Sequence, residues 1–196
     1  MLKHAEYEDF VEVREHIRKS AGDVPILYMW LMDMLQNLER SLAVSAVLRK
    51  QLEEIEVGGI KALNPDLWTN KFDLNIENAM RKKTFHAQIT TAVGEWIEDG
   101  TFLELLLKRD FTTIDRSKIS NFKDLFHLAR QIRNQLAHDF FLEHTQDKNA
   151  TEGVRLMESK LENLVIDIHF ISHIAELLSA GFADTLHESI AKITKI

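Results

Sequence analysis

The sequence has no cysteine, two prolines and seven glycines in 196 residues. Without cysteine a disulfide framework is excluded, and the composition suits a reducing compartment, so a cytoplasmic protein is expected. Proline at about one per hundred and glycine below about four per hundred both fall under the usual averages of roughly five and seven. That leaves too few turn residues for many short strands and argues against a sandwich, barrel or propeller. Long apolar runs are missing as well: the longest, Val24 to Leu35, is interrupted by Asp33 and falls short of the roughly 20 residues a bilayer span needs. The first ten residues carry Glu6, Glu8 and Asp9 and no apolar stretch, which predicts neither a signal nor a transit peptide, and no membrane partner is expected. Basic charge is outweighed, 24 Lys and Arg against 31 Asp and Glu for a formal charge of −7. A broad basic surface that coats nucleic acid is thereby excluded, while a small local basic site is not.

What remains is a chain of long helical patterns. Residues 5–20 open on acids and close on Arg14, Arg18 and Lys19, an order that complements the helix dipole. Asp23 and Pro25 resemble a cap and first-turn proline for a helix carrying Leu27, Trp30, Leu31, Met34, Leu38, Leu42, Leu48, Leu52 and Ile55 near helical spacing. Gly58-Gly59 ends it, and Ile60 to Asn75 reads as a long irregular connection. A third helix is expected over about 76–98, with a short apolar piece from Phe102 to Leu107 beyond it. Asn121 and Asp124 form a capping arrangement that opens a fourth, Phe122 to about Glu143. After a polar loop from Thr145 to Gly153, a last long helix spans about Val154 to Ala180, and Gly181 separates it from a short C-terminal helix. The expectation is a single all-α domain over 1–196. It comprises an accessory helix at 1–22, an antiparallel bundle of four main long helices at 23–182, and a short helix at 183–196. The stretch Leu161 to Phe182 bears two nearly opposite apolar stripes, one through Leu161, Val165, Ile168 and Ala175 and one through Ile166, Phe170, Ile174 and Leu177. Such a helix is central or sits in a subunit interface.

The segment Arg133-Asn134-Gln135-Leu136-Ala137-His138 holds the most informative chemistry. At 100° per residue, Phe122, Leu125, Phe126, Ala129, Ile132, Leu136, Ala137 and Phe140 fall in one arc of about 140°, and Arg133 projects into that arc. An always-charged guanidinium there must be paired, bind an anion or border a cleft. His127, Arg130, Asn134 and His138 share the polar side, with Asn134 and His138 adjacent. Histidine exchanges protons near neutrality and arginine holds charge building on phosphorus oxygens, which together suit metal-free cleavage of a phosphodiester. The substrate would be RNA, whose 2′-hydroxyl attacks to give a 2′,3′-cyclic phosphate; two chains pooling their motifs would supply both acid and base. The same residues also fit a structural arginine held by Asp33 or Glu39 of the second helix, with His138 an ordinary boundary residue.

Gln131-Ile132-Arg133-Asn134-Gln135-Leu136-Ala137-His138-Asp139 resembles the Arg-x4-His signature of the HEPN superfamily, over a context of roughly residues 24–180. Thr84 to Gly100 resembles the mannitol operon repressor branch. The resemblance implies a HEPN-like bundle and a metal-independent endoribonuclease, a toxin or phage-defence effector. It would act as a homodimer on RNA without a cofactor, restrained by an antitoxin or regulatory protein. It assigns catalysis to Arg133 and His138 with Asn134 in support, while from their place on the polar side of the same helix Arg130 and His127 are expected to bind the substrate. Phe140 stands where several HEPN toxins have a tyrosine that a nucleotidyltransferase antitoxin modifies, so regulation by that route is not expected. Other members of the superfamily are non-catalytic regulatory or interaction modules.

Weaker signals have plain explanations. His169, His173 and Glu176 have ligand spacing, but no metal is expected: the glutamate-histidine pattern of zinc proteases is missing and solvated or interface histidines suffice. Arg81-Lys82-Lys83 and Lys108-Arg109 read as solvated faces. Trp30 and Trp96 read as core, and Trp68 as a pin between the 60–75 connection and the bundle or a partner.

Overall fold

Leucines at positions 27, 31, 35, 38 and 42 return to one side of a helix every three or four residues, and all five are fully buried. They lie on α1 (Val24–Gly58), a 35-residue helix that ends where expected: Gly59 has φ of 63°, a left-handed conformation that glycine adopts without a Cβ penalty. The computed structural model describes residues 24–59, 76–78, 80–81, 84–93, 111–140 and 151–194. Besides α1 these include α2 (Phe85–Val93), a one-turn 3-10 helix (Arg116–Lys118), α3 (Phe122–His138) and α4 (Thr151–Thr194), and among the described residues there is no strand. The protein is all-α, as the scarcity of glycine and proline implies. The N-terminal 5–20 pattern, the 60–75 connection with Trp68, Trp96, the 102–107 piece, Lys82, Lys83 and the Lys108-Arg109 pair lie outside the described residues.

The principal packing is α1 along α4. Ser172 Oγ donates to the Met34 carbonyl at 3.4 Å, and Ser179 Oγ lies 2.8 Å from the Ser41 carbonyl and 2.8 Å from Ser45 Oγ. Farther along, Leu48, Leu52 and Ile55 pack with Phe182 and Leu186. Position advances in step on both helices, so α1 and α4 run in the same direction. This corrects the expectation of a wholly antiparallel bundle. The antiparallel rule follows from short loops, and the long segment between α1 and α4 carries the chain back to the starting end. Ser41, Ser45, Ser172 and Ser179 line the contact, small enough to let the two backbones approach, and the hydroxyls satisfy one another or neighbouring carbonyls.

Several boundaries differ from expectation. The third helix is interrupted: Thr84 is non-helical, its hydroxyl accepts from the Ala87 N–H at 3.3 Å, and α2 starts afresh behind this cap. The last helix begins at Thr151 and passes through Gly181 to Thr194 without a break. Phe182 and Leu186, buried on the second small core, hold the helix together across the glycine, against which intrinsic propensity costs only about 1 kcal/mol. Trp30 is 40% exposed. It sits beside the leucine stripe, on the solvent flank shared with Ile26 and Met29. On α4 the first apolar stripe is buried from Leu161 to Ala175, while of the second only Ile174 is fully so. By length and composition the helix Glu152–Lys192 could cross a membrane, with a window of mean hydropathy 1.4. Its buried stripe against α1 accounts for that composition as a core helix.

The approach to α3 is fixed by Asp167, fully buried on α4. The backbone N–H groups of Thr112, Thr113 and Ile114 donate to its carboxylate at 3.0, 2.8 and 3.3 Å, and Thr113 Oγ1 donates at 2.7 Å. Thr112 Oγ1 stands 3.0 Å from both Asp167 Oδ1 and the Asn163 carbonyl. Phe111 packs edge-on to Phe170 at 5.8 Å beside them. Asp115 then caps the 3-10 turn through Ser117, and Asn121 caps α3 as expected, accepting from the Asp124 N–H at 2.9 Å while Asp124 accepts from Ser120 at 3.0 Å.

Two substitutions test this account. Asp167→Ala strands the buried Ile114 N–H and the partly buried donors of Thr112 and Thr113, and is expected to lower stability by about 2 kcal/mol, read as a fall in the urea midpoint; an unchanged midpoint would show the clamp to be dispensable. Gly181→Ala adds a Cβ that meets nothing within 4 Å and is expected to stabilise by about 0.5–1 kcal/mol. A lowered melting temperature would contradict a continuous α4.

Candidate functional site

The amphipathic pattern of α3 places its chemistry. Phe122, Leu125, Phe126, Ala129, Leu136 and, two positions past the helix, Phe140 are buried, whereas Ile132 is half-buried and Ala137 exposed, so the packed arc is narrower than its projection. The C-terminal end of the helix is held by α1: Tyr28 donates to the Leu136 carbonyl at 3.2 Å and stacks at a tilt on Phe140 with ring centroids 6.2 Å apart. Asp139 closes the last turn, its N–H donating to the Gln135 carbonyl at 2.8 Å.

Arg133 lies where the projection puts it, at the edge of the packed side. Its Nη2 is 3.5 Å from Glu39 Oε2 of α1, with the arginine side chain 39% and the glutamate 12% exposed. The guanidinium carbon stands 5.9 Å from the centre of the Phe85 ring of α2, a cation–π approach. Of the two carboxylates that could hold this arginine, Glu39 does so; Asp33 instead accepts from Asn37 at 3.3 Å. Arg133 is thus a junction of α1, α2 and α3, paired yet still partly open to solvent. Asn134 and His138 are exposed on the adjoining flank. No hydrogen bond links Arg133, Asn134 and His138 to one another among the described residues, and the side chains of Arg133 and His138 diverge around the helix.

One turn and more toward the N-terminus, His127 and Arg130 are half-buried on the same flank as Asn134. His127 stacks on His86 of α2, ring centroids 4.8 Å apart and planes 22° from parallel. His127 Nδ1 and Arg130 Nε are buried atoms without a hydrogen-bond partner. Burial, then the His86 imidazole, Arg130 and Lys123, hold the His127 pKa below its ordinary value, Asp124 opposing them. His86 was invisible to sequence reasoning: it lies on another helix, and no spacing rule connects it to His127.

The weaker metal pattern does not assemble. His173 Nδ1 is 4.0 Å from Glu176 Oε2 in an ion-pair geometry, and among the described residues no three His, Cys, Asp or Glu side chains converge as a metal site. Arg81 pairs with Glu77 at 4.0 Å on an exposed helical face, as a solvated basic run would. No family model, curated protein or solved structure matches this chain.

The lowered pKa of His127 has a thermodynamic consequence. Below the ordinary histidine pKa of about 6.5 the unfolded chain takes up a proton that the folded one resists, so unfolding stability falls as pH drops through that value and levels off below the folded pKa. His127→Gln is expected to flatten this slope between pH 7 and 5. A slope identical to wild type in denaturant titrations at several pH values would show that His127 is not strained in this way.

Proposed function

We propose that the chain is a HEPN-like, metal-independent endoribonuclease, a cytoplasmic toxin or phage-defence effector that cuts RNA at a composite site shared by two copies in a homodimer. The observation that supports it best is the placement of Arg133, Asn134 and His138 on one capped helix, the arginine anchored at the core edge and the other two open to solvent. In this reading His138 takes the proton of the ribose 2′-hydroxyl, the oxygen attacks phosphorus, and the 5′-oxygen leaves with a proton from the same residue of the second copy. Arg133 neutralises charge on the non-bridging oxygens and Asn134 orients the histidine or the phosphate. His127 and Arg130 bind the substrate strand. No cofactor or metal enters, and an antitoxin or regulatory protein would restrain the enzyme.

One observation favours a different class. The Arg133–Glu39 pair, packed against Phe85, is what a structural arginine in a non-catalytic regulatory or protein-interaction module of HEPN or mannitol operon repressor type would make. Half-exposure distinguishes it from an arginine sealed in the core, because its remaining donors stay available to an anion.

Incubation of the purified protein with total RNA in EDTA separates the two. Cleavage to products ending in 2′,3′-cyclic phosphate is expected, abolished by His138→Ala and by Arg133→Ala with helical circular dichroism retained, and light scattering is expected to give twice the 22.7 kDa of one chain. Intact RNA with wild-type protein, or unfolding of Arg133→Ala alone, would favour the non-catalytic module.

A further inference from the structure

Along the polar flank of α3, the acidic protein carries a patch of one sign. Lys123 is exposed on α3, His127 and Arg130 are half-buried beside it, and the exposed His86 joins them from α2. The nearby acids are already engaged: Asp124 accepts from the Ser120 N–H at 3.0 Å, and Glu39 of α1 pairs with Arg133. Arg130 has no carboxylate within ion-pair reach among the described residues, and its Nε, like His127 Nδ1, is buried with no hydrogen-bond partner. The Arg130 Nε is a buried donor left unmade, which is costly, and the His127 ring beside it becomes a donor at Nδ1 once protonated; together they call for an acceptor that carries negative charge and several oxygens. A tetrahedral phosphoryl group, with oxygens in more directions than a planar carboxylate, can receive a guanidinium and an imidazole that approach from two helices.

We infer that His86, His127 and Arg130 form a phosphoryl-binding subsite, which takes a second phosphate of the strand whose scissile phosphate lies at Arg133 and His138. The assignment of a strand rests on the proposed ribonuclease reading; the affinity for phosphoryl oxygens does not. The strip fits that role in length. His127 to His138 is eleven positions on one helix, about 16 Å, enough to space two backbone phosphates along the same flank. The stacked imidazoles close its N-terminal end, with Arg130 between them and the catalytic residues. Phosphoryl binding restores what the free protein withholds, since an anion beside His127 favours its protonated form. Binding is therefore linked to proton uptake at His127, whose ring faces His86, Arg130, Lys123 and, with the opposing sign, Asp124.

The test uses inorganic phosphate first, followed by the histidine ring resonances of the full chain. The His86 and His127 signals are expected to move together, the His127 titration midpoint to rise, and Arg130→Gln to weaken phosphate binding about tenfold. His86→Gln, a change at an exposed position, is expected to weaken it several-fold without touching the core. Unmoved ring signals, or affinities within twofold of wild type in both variants, would overturn the subsite. A short 5′-phosphorylated RNA, added to the His138→Ala protein so that it is not consumed, is expected to bind at least tenfold more tightly than inorganic phosphate; equal affinities would overturn the strand assignment. Failure of the ribonuclease reading looks different, with phosphate bound as described and total RNA left intact. Conversely, RNA cleaved with a KM unchanged in Arg130→Gln and His127→Gln would leave the enzyme standing and remove the subsite.

Discussion

A single buried carboxylate organises the approach to the site. Asp167 stands on α4, and in a helix its own backbone is already satisfied, so its charge must be met by something else. The incoming chain at Thr112 to Ile114 meets it with consecutive N–H groups and threonine hydroxyls. A segment that bends this way around an anion cannot slide, because a shift of one residue would exchange matched donors for unmatched ones. The next turns inherit that register: Asp115 caps the 3-10 turn and Asn121 caps α3. The clamp thus fixes where the chain enters α3, while the buried stripe from Phe122 to Leu136 sets the rotation that brings Arg133 to Glu39.

At Arg133 structure and chemistry compete for the same cation. A partly exposed ion pair contributes on the order of 1 kcal/mol or less to folding, so Glu39 does not need Arg133 in order to keep the fold. The pair and the Phe85 ring instead restrict where the guanidinium points, which is the form of preorganisation that transition-state stabilisation requires. The same geometry would serve a module that uses the arginine only to fasten three helices together. Activity with RNA decides between them, since the packing is common to both.

Much of this was legible in the residues. The C-terminal end of α1, the Asn121 cap, the buried stripe of α4 and the inward lean of Arg133 all follow from local spacing, where each residue is judged against its neighbours three and four positions away. Glu39 stood among two possible carboxylates, and only packing could choose. What escaped were relations between distant segments. The shared direction of α1 and α4 depends on the path of the chain between them, and the His86–His127 stack depends on which turn of α2 faces α3. Gly181 misled because glycine is a poor helix former in isolation, while Phe182 and Leu186 on either side of the next turn override that preference through burial. Trp30 misled in the opposite sense: its spacing fits the stripe, yet the leucines fill the interface and the indole is left on its rim.

The shared direction of the two longest helices bears on how the molecule is made. Hydrogen bonds between α1 and α4 join residues 138 positions apart, so bringing the two helices together means closing a long loop of chain. During synthesis α1 leaves the ribosome long before α4, and the face that α4 covers stays open until the region around Ser179 has emerged. Shielding by chaperones or by transient neighbours matters most in that interval, and a chain cut short before α4 would present its leucine stripe to the cell as an aggregation surface.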